Sequence, residues 1–218
     1  MQVGDTHQAD LLMIQTLTKK LTFQEFVDWK PEDKLYELHD GVVVEVAQPI
    51  GKHENVFIFL SRKINVEIDR LNLPYGIPSK VLVKPEEKDS AYYPDVLVLV
   101  KRNLKNEPLY ASYSTVSKSE SIPLVIEIVS TNWGDDYAVK FEEYENIGIQ
   151  EYVIVDYLGL GGKRFIGSPK QPTITVCQFI DGEYKSVLYR GDDIIELISF
   201  PELKLTANQI FQSASAEF

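Results

Sequence analysis

In the stretch PLVIEIVS, Glu127 follows Leu124, Val125 and Ile126 and precedes Ile128 and Val129. Strand alternation puts Val125, Glu127 and Val129 on one face and Leu124, Ile126 and Ile128 on the other. Both faces are apolar, which places such a strand inside a sheet covered on each side. The fold must therefore carry a carboxylate into its core. Taking an ionised carboxylate out of water costs several kcal/mol, so Glu127 has to be paired with Arg or Lys, protonated, or bound to a metal.

The chain of 218 residues is long enough for one well-buried core. We expect a single domain over residues 21–218, preceded by an N-terminal arm or extra helix over 1–20. Hydrophobic residues at 44% and charged residues at 25% are ordinary for a folded protein. Cys177 is the only cysteine, so neither an intrachain disulfide nor a cysteine-rich metal site is available, which fits a reducing cytoplasm. No apolar run approaches the ~20 residues needed to span a bilayer, and MQVGDTHQAD lacks a secretion signal. A soluble, intracellular, cytoplasmic protein is the expectation. The formal net charge of −11 argues against tight, sequence-blind nucleic-acid binding, which needs Lys and Arg to neutralise phosphates. A nuclease stays open, because acids gathered round a cation contribute to that balance and the cation reverses the local field.

Along the chain, Thr22 and Glu25 form a T-x-x-E capping box that starts a short helix ending at Pro31. YELH and VVVEV flank Asp40-Gly41 as a hairpin. From His53 to Leu71, Phe57, Leu60, Ile64, Ile68 and Leu71 recur at helical spacing, with His53 on the inward face. KVLVK and VLVLV are the next strands. The polar segment KRNLKNEPLYASYSTVSKSESI is longer than most loops and reads as a flap or a mobile connection. DDYAVKFEEYENIGI is a helix whose Asp135 and Asp136 suit its N-terminal end, with Tyr137, Phe141 and Tyr144 along one face. EYVIVDYL returns as a strand. TITVCQFI and YKSVLY form a C-terminal hairpin about Asp181-Gly182, and Thr206 with Gln209 caps a last helix. Interleaved strands and helices imply an α/β (α+β) fold, a mixed sheet flanked by helices.

Asp95 in YYPDVLVLV follows Pro94, which a strand tolerates at its first position, so the acid sits at a strand end. If this strand neighbours that of Glu127, both carboxylates can converge on one divalent cation. Few hard oxygen ligands, completed by water, suit magnesium better than zinc. Lys140 lies between Tyr137 and Tyr144 at helical spacing and borders the apolar face. There it either orients or activates a water and stabilises phosphoryl charge, or lays its stem over apolar surface with its charge in solvent.

A strand opened by PD, a second strand with a central Glu and a helix bearing Asp and Lys resemble the PD-(D/E)xK nuclease superfamily. More narrowly, YELHDGVVVEVAQPIGKHENV, YYPDVLVLV, LVIEIVS, DDYAVKFEEY and IQEYVIVD, spread over about residues 20 to 212, resemble the Uma-type family of putative restriction endonucleases. The resemblance implies a restriction-endonuclease-like sheet core with the C-terminal hairpin added to it. It implies Asp95 and Glu127 as ligands of Mg2+, with Mn2+ as a substitute, and Asp95, Glu127 and Lys140 as the catalytic set. DNA is the implied substrate, and a homodimer is one assembly open to the chain. The chain departs from the superfamily where a lysine usually stands two residues after the central acid: here that position is Val129, and Lys140 on the helix is the replacement. It also reads STNWGDD where the family tends to S-P-S-T.

Three residues are supporting candidates. Glu37 matches an acid of the family's Y-E-L block, and either supports the metal or makes a cross-strand or buried pair. His53 matches the family's His, and either contacts phosphate or water or is a satisfied structural histidine. Asp136 either orients Lys140 or caps the helix. Competing with the nuclease is a catalytically silent protein of the same fold acting as a binding or structural homodimer, and, further off, a two-carboxylate glycoside hydrolase. The basic clusters KRNLK and GGKRF either touch phosphates or are solvated loops, the second being the safer reading.

Overall fold

The computed structural model describes residues 20–31 and 33–215, so the arm or helix expected over 1–20 lies, Lys20 apart, outside the described residues. The Thr22–Glu25 capping box forms and starts α1 (Phe23–Trp29). β1 (Tyr36–His39) and β2 (Val42–Glu45) pair antiparallel about Asp40 and Gly41, both at positive φ, as an Asp-Gly hairpin turn requires. α2 (Gly51–Arg70) follows, with Val56, Leu60, Ile64 and Ile68 buried along one side. It begins at Gly51 rather than His53, because the extended backbone of Ile50 ends the preceding chain and no side chain caps the first turn.

Next come β3 (Tyr75–Gly76), β4 (Leu82–Val83) and β5 (Val96–Val100). KVLVK contributes only the short β4. It pairs in parallel with β6 (Thr115–Val116), outside the main sheet. The long polar segment is no open flap. It is taken up by a 3-10 turn (Lys101–Asn106), α3 (Tyr110–Tyr113), β6 and a second 3-10 turn (Ser119–Ser121). Buried Glu107 fixes it by accepting the Ser117 and Lys118 N–H groups, at 3.0 and 3.2 Å.

The remaining elements are β7 (Leu124–Ile128), a π turn (Asp135–Val139) running into α4 (Lys140–Ile147), β8 (Glu151–Asp156), α5 (Lys163–Ile166), β9 (Thr173–Ile180), β10 (Glu183–Tyr189) and α6 (Ala207–Ser213). Six strands form one mixed sheet in the order β10-β9-β8-β7-β5-β3. β7 and β8 are parallel, while β7 is antiparallel to β5. The C-terminal hairpin β9–β10 extends the sheet beyond β8. α6 carries its expected Thr206–Gln209 capping box.

The two faces of β7 divide as strand parity requires. Leu124, Ile126 and Ile128 join Val96, Val98 and the buried side of α2 in one core. Val125 and Val129 join Leu97, Ile154, Tyr152, Tyr137 and Tyr144 in the other, beneath α4. Glu127 shares the second face. A third cluster, of Phe23, Phe26, Leu38, Leu82 and Ala91, seats α1 and the first hairpin on the domain. The bridges Leu38 to Ala91 and Val83 to Tyr92 hold that hairpin beside the strand ends where Asp95 emerges.

Candidate active site

Val96 faces Ile126 in the β5–β7 ladder, which sets Asp95, just before β5, level with Glu127. Ile128 N–H donates to Asp95 Oδ2 at 2.7 Å and closes the strand end. The two acids differ in exposure: the side chain of Asp95 is 26% accessible and that of Glu127 3%. Asp95 is thus partly open to solvent and Glu127 is buried behind it.

Lys140 meets Glu127 from α4. Its Nζ lies 3.1 Å from Glu127 Oε1, 3.7 Å from Glu37 Oε1 and 3.7 Å from Asp136 Oδ1, and the residue is buried. The picture of a surface lysine with its charge in solvent is thus overturned. One turn further along α4, Tyr144 OH donates to Glu127 Oε1 at 2.9 Å. Two other buried acids of the sheet are satisfied by main chain: Glu151 accepts the Ile198 and Ser199 N–H groups, and Asp156 those of Leu160 and Gly161. Glu127 instead has an ammonium and a phenol.

Asp136 does not cap a helix. Gly134 precedes the π turn without any side-chain cap, and the Asp136 carboxylate points to Lys140 within the buried cluster. Its main-chain carbonyl accepts from Tyr152 OH at 2.8 Å, which ties the turn to β8. Glu37 faces Val44 across the hairpin, so it has no cross-strand charge pair. It accepts Tyr93 N–H at 2.8 Å on Oε1 and lies 2.8 Å from His39 Nε2 through Oε2. His53 Nε2 lies 3.1 Å from the Ile128 carbonyl and 3.3 Å from Asp95 Oδ2, while its buried Nδ1 has no hydrogen-bond partner. It is therefore only half satisfied as a structural histidine.

Burial governs the proton affinities. It pushes the Glu127 carboxyl well above the usual range, Asp95, Asp136 and Glu37 push it further, and Lys140 alone among these neighbours opposes them. Asp136 rises to about 7 for the same reasons. Burial would likewise lift Glu37, but Lys140, His39 and the Tyr93 N–H together hold it below the ordinary value. Lys140 would lose proton affinity on burial, yet the surrounding acids raise it well above an ordinary lysine. For His53, burial is outweighed by Asp95, Glu54 and the Ile128 carbonyl, and the net direction is upward.

Three acids thus lie within 3.7 Å of one lysine, with Asp95 beside Glu127, and a bound cation would take the place of the protons that burial favours on Glu127 and Asp136. Among the described residues, no three His, Cys, Asp or Glu side chains form a ready-made metal cluster. Magnesium does not need one: it commonly binds through one or two carboxylates and keeps several waters. The contacts described above reach Asp95 at Oδ2 and Glu127 at Oε1, which leaves Oδ1 and Oε2 for a cation. The donor set, two hard carboxylates at adjacent strands and at one end of the sheet, suits magnesium or manganese better than zinc.

Asp95, Glu127, Lys140, Glu37, Asp136 and His53, all singled out in the sequence, are brought to one end of the sheet. Three further members were missed. Tyr144 stands one helical turn after Lys140, and His39 shares a strand face with Glu37; both spacings are visible in the sequence. Tyr93 contributes a main-chain N–H, which leaves no sequence signal.

A family profile described as "Uma2: Putative restriction endonuclease" matches residues 23–208. The crystal structure of a putative nuclease belonging to DUF820 from Anabaena variabilis superposes with a TM-score of 0.68. Its identity is 17%, and the match covers 89% of this chain and 99% of that one. At this identity the likeness establishes the fold. A search of curated proteins gave no match.

Proposed function

The chain belongs to the Uma2 family of putative restriction endonucleases, and from that premise we propose that it hydrolyses DNA phosphodiester bonds with a magnesium or manganese ion held by Asp95 and Glu127. The observation that carries this is Lys140: a buried ammonium 3.1 Å from the buried Glu127 carboxylate and flanked by two further acids. When bound, the ion supplies Lewis-acid stabilisation of phosphoryl and leaving oxygens and lowers the pKa of a coordinated water.

The protein's own groups do the rest. Lys140 keeps its proton at neutral pH, because the surrounding acids raise its proton affinity. It is therefore a donor and a fixed positive charge, which orients water and stabilises developing phosphoryl charge, and does not act as a general base. Glu37 and Asp136 hold its head in place, and Tyr144 fixes Glu127 Oε1. His53 and the Ile128 N–H together set the orientation of Asp95.

Purified protein should cut supercoiled, linear or single-stranded DNA with magnesium or manganese, and Glu127→Gln should reduce cutting to background while circular dichroism and melting show a folded chain. Failure of the wild type on every DNA form, or equal cutting by the variant, overturns the proposal. The catalytically silent alternative draws on one observation, Val129 at the position of the usual strand lysine. It predicts no cleavage and a melting temperature that magnesium leaves unchanged, whereas a rise that Asp95→Asn abolishes supports the metal site.

A further inference from the structure

GGKRFIGSPK lies at the active-site end of the sheet. β7 and β8 are parallel, so the chain leaving β8 at Asp156 emerges beside the chain leaving β7 after Glu127. Asp156 pins this segment by accepting the Leu160 and Gly161 N–H groups at 2.9 and 2.8 Å. Gly161 packs against Tyr137, the neighbour of Asp136, so closely that a Cβ there would lie 3.0 Å from the ring. Phe165 then stacks on Tyr137, with ring centroids 4.9 Å apart and 22° between planes. The Arg164 guanidinium lies over Phe165 at 4.4 Å. A packed aromatic step thus connects the acid–lysine cluster to an exposed cation.

Lys163, Arg164 and Lys170 are all exposed. Among the described residues these three, like most of the chain's cations, have no carboxylate partner, whereas Lys34, Arg70 and Lys88 do. Lys170 Nζ instead donates to the Leu160 carbonyl at 2.6 Å and stays with the same segment. The other basic run, Lys101, Arg102 and Lys105, follows the far end of β5. Asp95 opens that strand at the active-site end, and its length separates the second run from the site by about 17 Å.

We propose that Lys163, Arg164 and Lys170 form a phosphate-contact arm that holds the DNA backbone beside the position to be cut. The arm rests on the nuclease reading and adds to it how a chain of net charge −11 admits a polyanion. Contacts to phosphate position a duplex without reading its sequence, so the arm sets register and affinity and not base preference.

The test compares wild type with the triple variants K163Q/R164Q/K170Q and K101Q/R102Q/K105Q. It measures anisotropy of a fluorescein-labelled duplex across a range of salt, and cleavage of the same duplex. Each lost phosphate contact should lower the slope of log K against log salt by about 0.9, so the arm variant should lose about 2 to 3 and bind about ten-fold or more weakly. The far-end variant should match wild type in slope and in cleavage. A wild type that cuts while the arm variant keeps its slope overturns the arm alone. Equal losses in both variants overturn it too, as evidence of diffuse attraction. A wild type that neither binds nor cuts DNA overturns the arm together with the nuclease reading.

Discussion

Replacing Asp136 with asparagine should stabilise the metal-free protein, and by more as pH rises. Asp136 is 8% exposed and its closest cation, Lys140, is 3.7 Å away and shared with two other acids. Burial first, then Asp95, Asp135 and Glu37, outweigh that lysine and raise the carboxyl from 3.8 to about 7. A gap of about 3 pH units at about 1.4 kcal/mol each corresponds to about 4 kcal/mol. The folded-state pKa is the higher one, so the stability from this group is fully present below about pH 4 and is lost as pH climbs through 7. The amide of the variant does not titrate. The stability difference between variant and wild type should therefore grow by about 4 kcal/mol between pH 4 and pH 8, a large part of a typical domain stability of about 5–15 kcal/mol. Loss of the attraction to Lys140 offsets the difference at high pH but does not reverse its trend. Urea denaturation followed by circular dichroism in EDTA, at four or five pH values, measures it. A difference that stays flat with pH, or falls, would refute the idea that burial strains this carboxylate.

Two further substitutions probe the same cluster. Lys140→Met removes the cation shared by Glu127, Glu37 and Asp136 and should cost about 3–5 kcal/mol at pH 8, and less at pH 5 where the acids escape by protonating; thermal melts at the two pH values read this directly. Tyr144→Phe deletes the hydroxyl on Glu127 Oε1 and should cost about 1–3 kcal/mol in urea denaturation, with magnesium affinity reduced if that bond orients the carboxylate.

Much of this arrangement is legible in local signals. Both capping boxes and both Asp-Gly turns form where their residues stand, because each is a contact between near neighbours. Strand parity alone sends Glu127 to the face that Tyr137 and Tyr144 cover, and helical spacing brings Lys140 to the border of that face. What stayed illegible depends on distant segments. Glu37 reaches Lys140 only because the first hairpin docks through Leu38 and Ala91, a contact with no periodic trace. KVLVK has the composition of a core strand, yet its partner is β6 and not the main sheet. Asp136 has the residue type and place of a helix cap, but the π turn rotates it inward toward the lysine.

The parallel neighbours β7 and β8 constrain how this site can vary. Connections between parallel strands of one sheet are right-handed in nearly all proteins, so handedness dictates which side of the sheet α4 covers. Glu127 points to that side by the parity of its position in β7. An insertion between Ser130 and Asn132 lengthens a loop and leaves the acid and the lysine facing each other. A single-residue insertion inside β7 before Glu127 would turn the carboxylate toward α2, into a core of Leu60, Ile64 and Val98, where no lysine waits. Drift in length is thus tolerated on one side of the acid and forbidden on the other. The lysine's seat on a helix, and not on the strand, makes its meeting with Glu127 a property of topology.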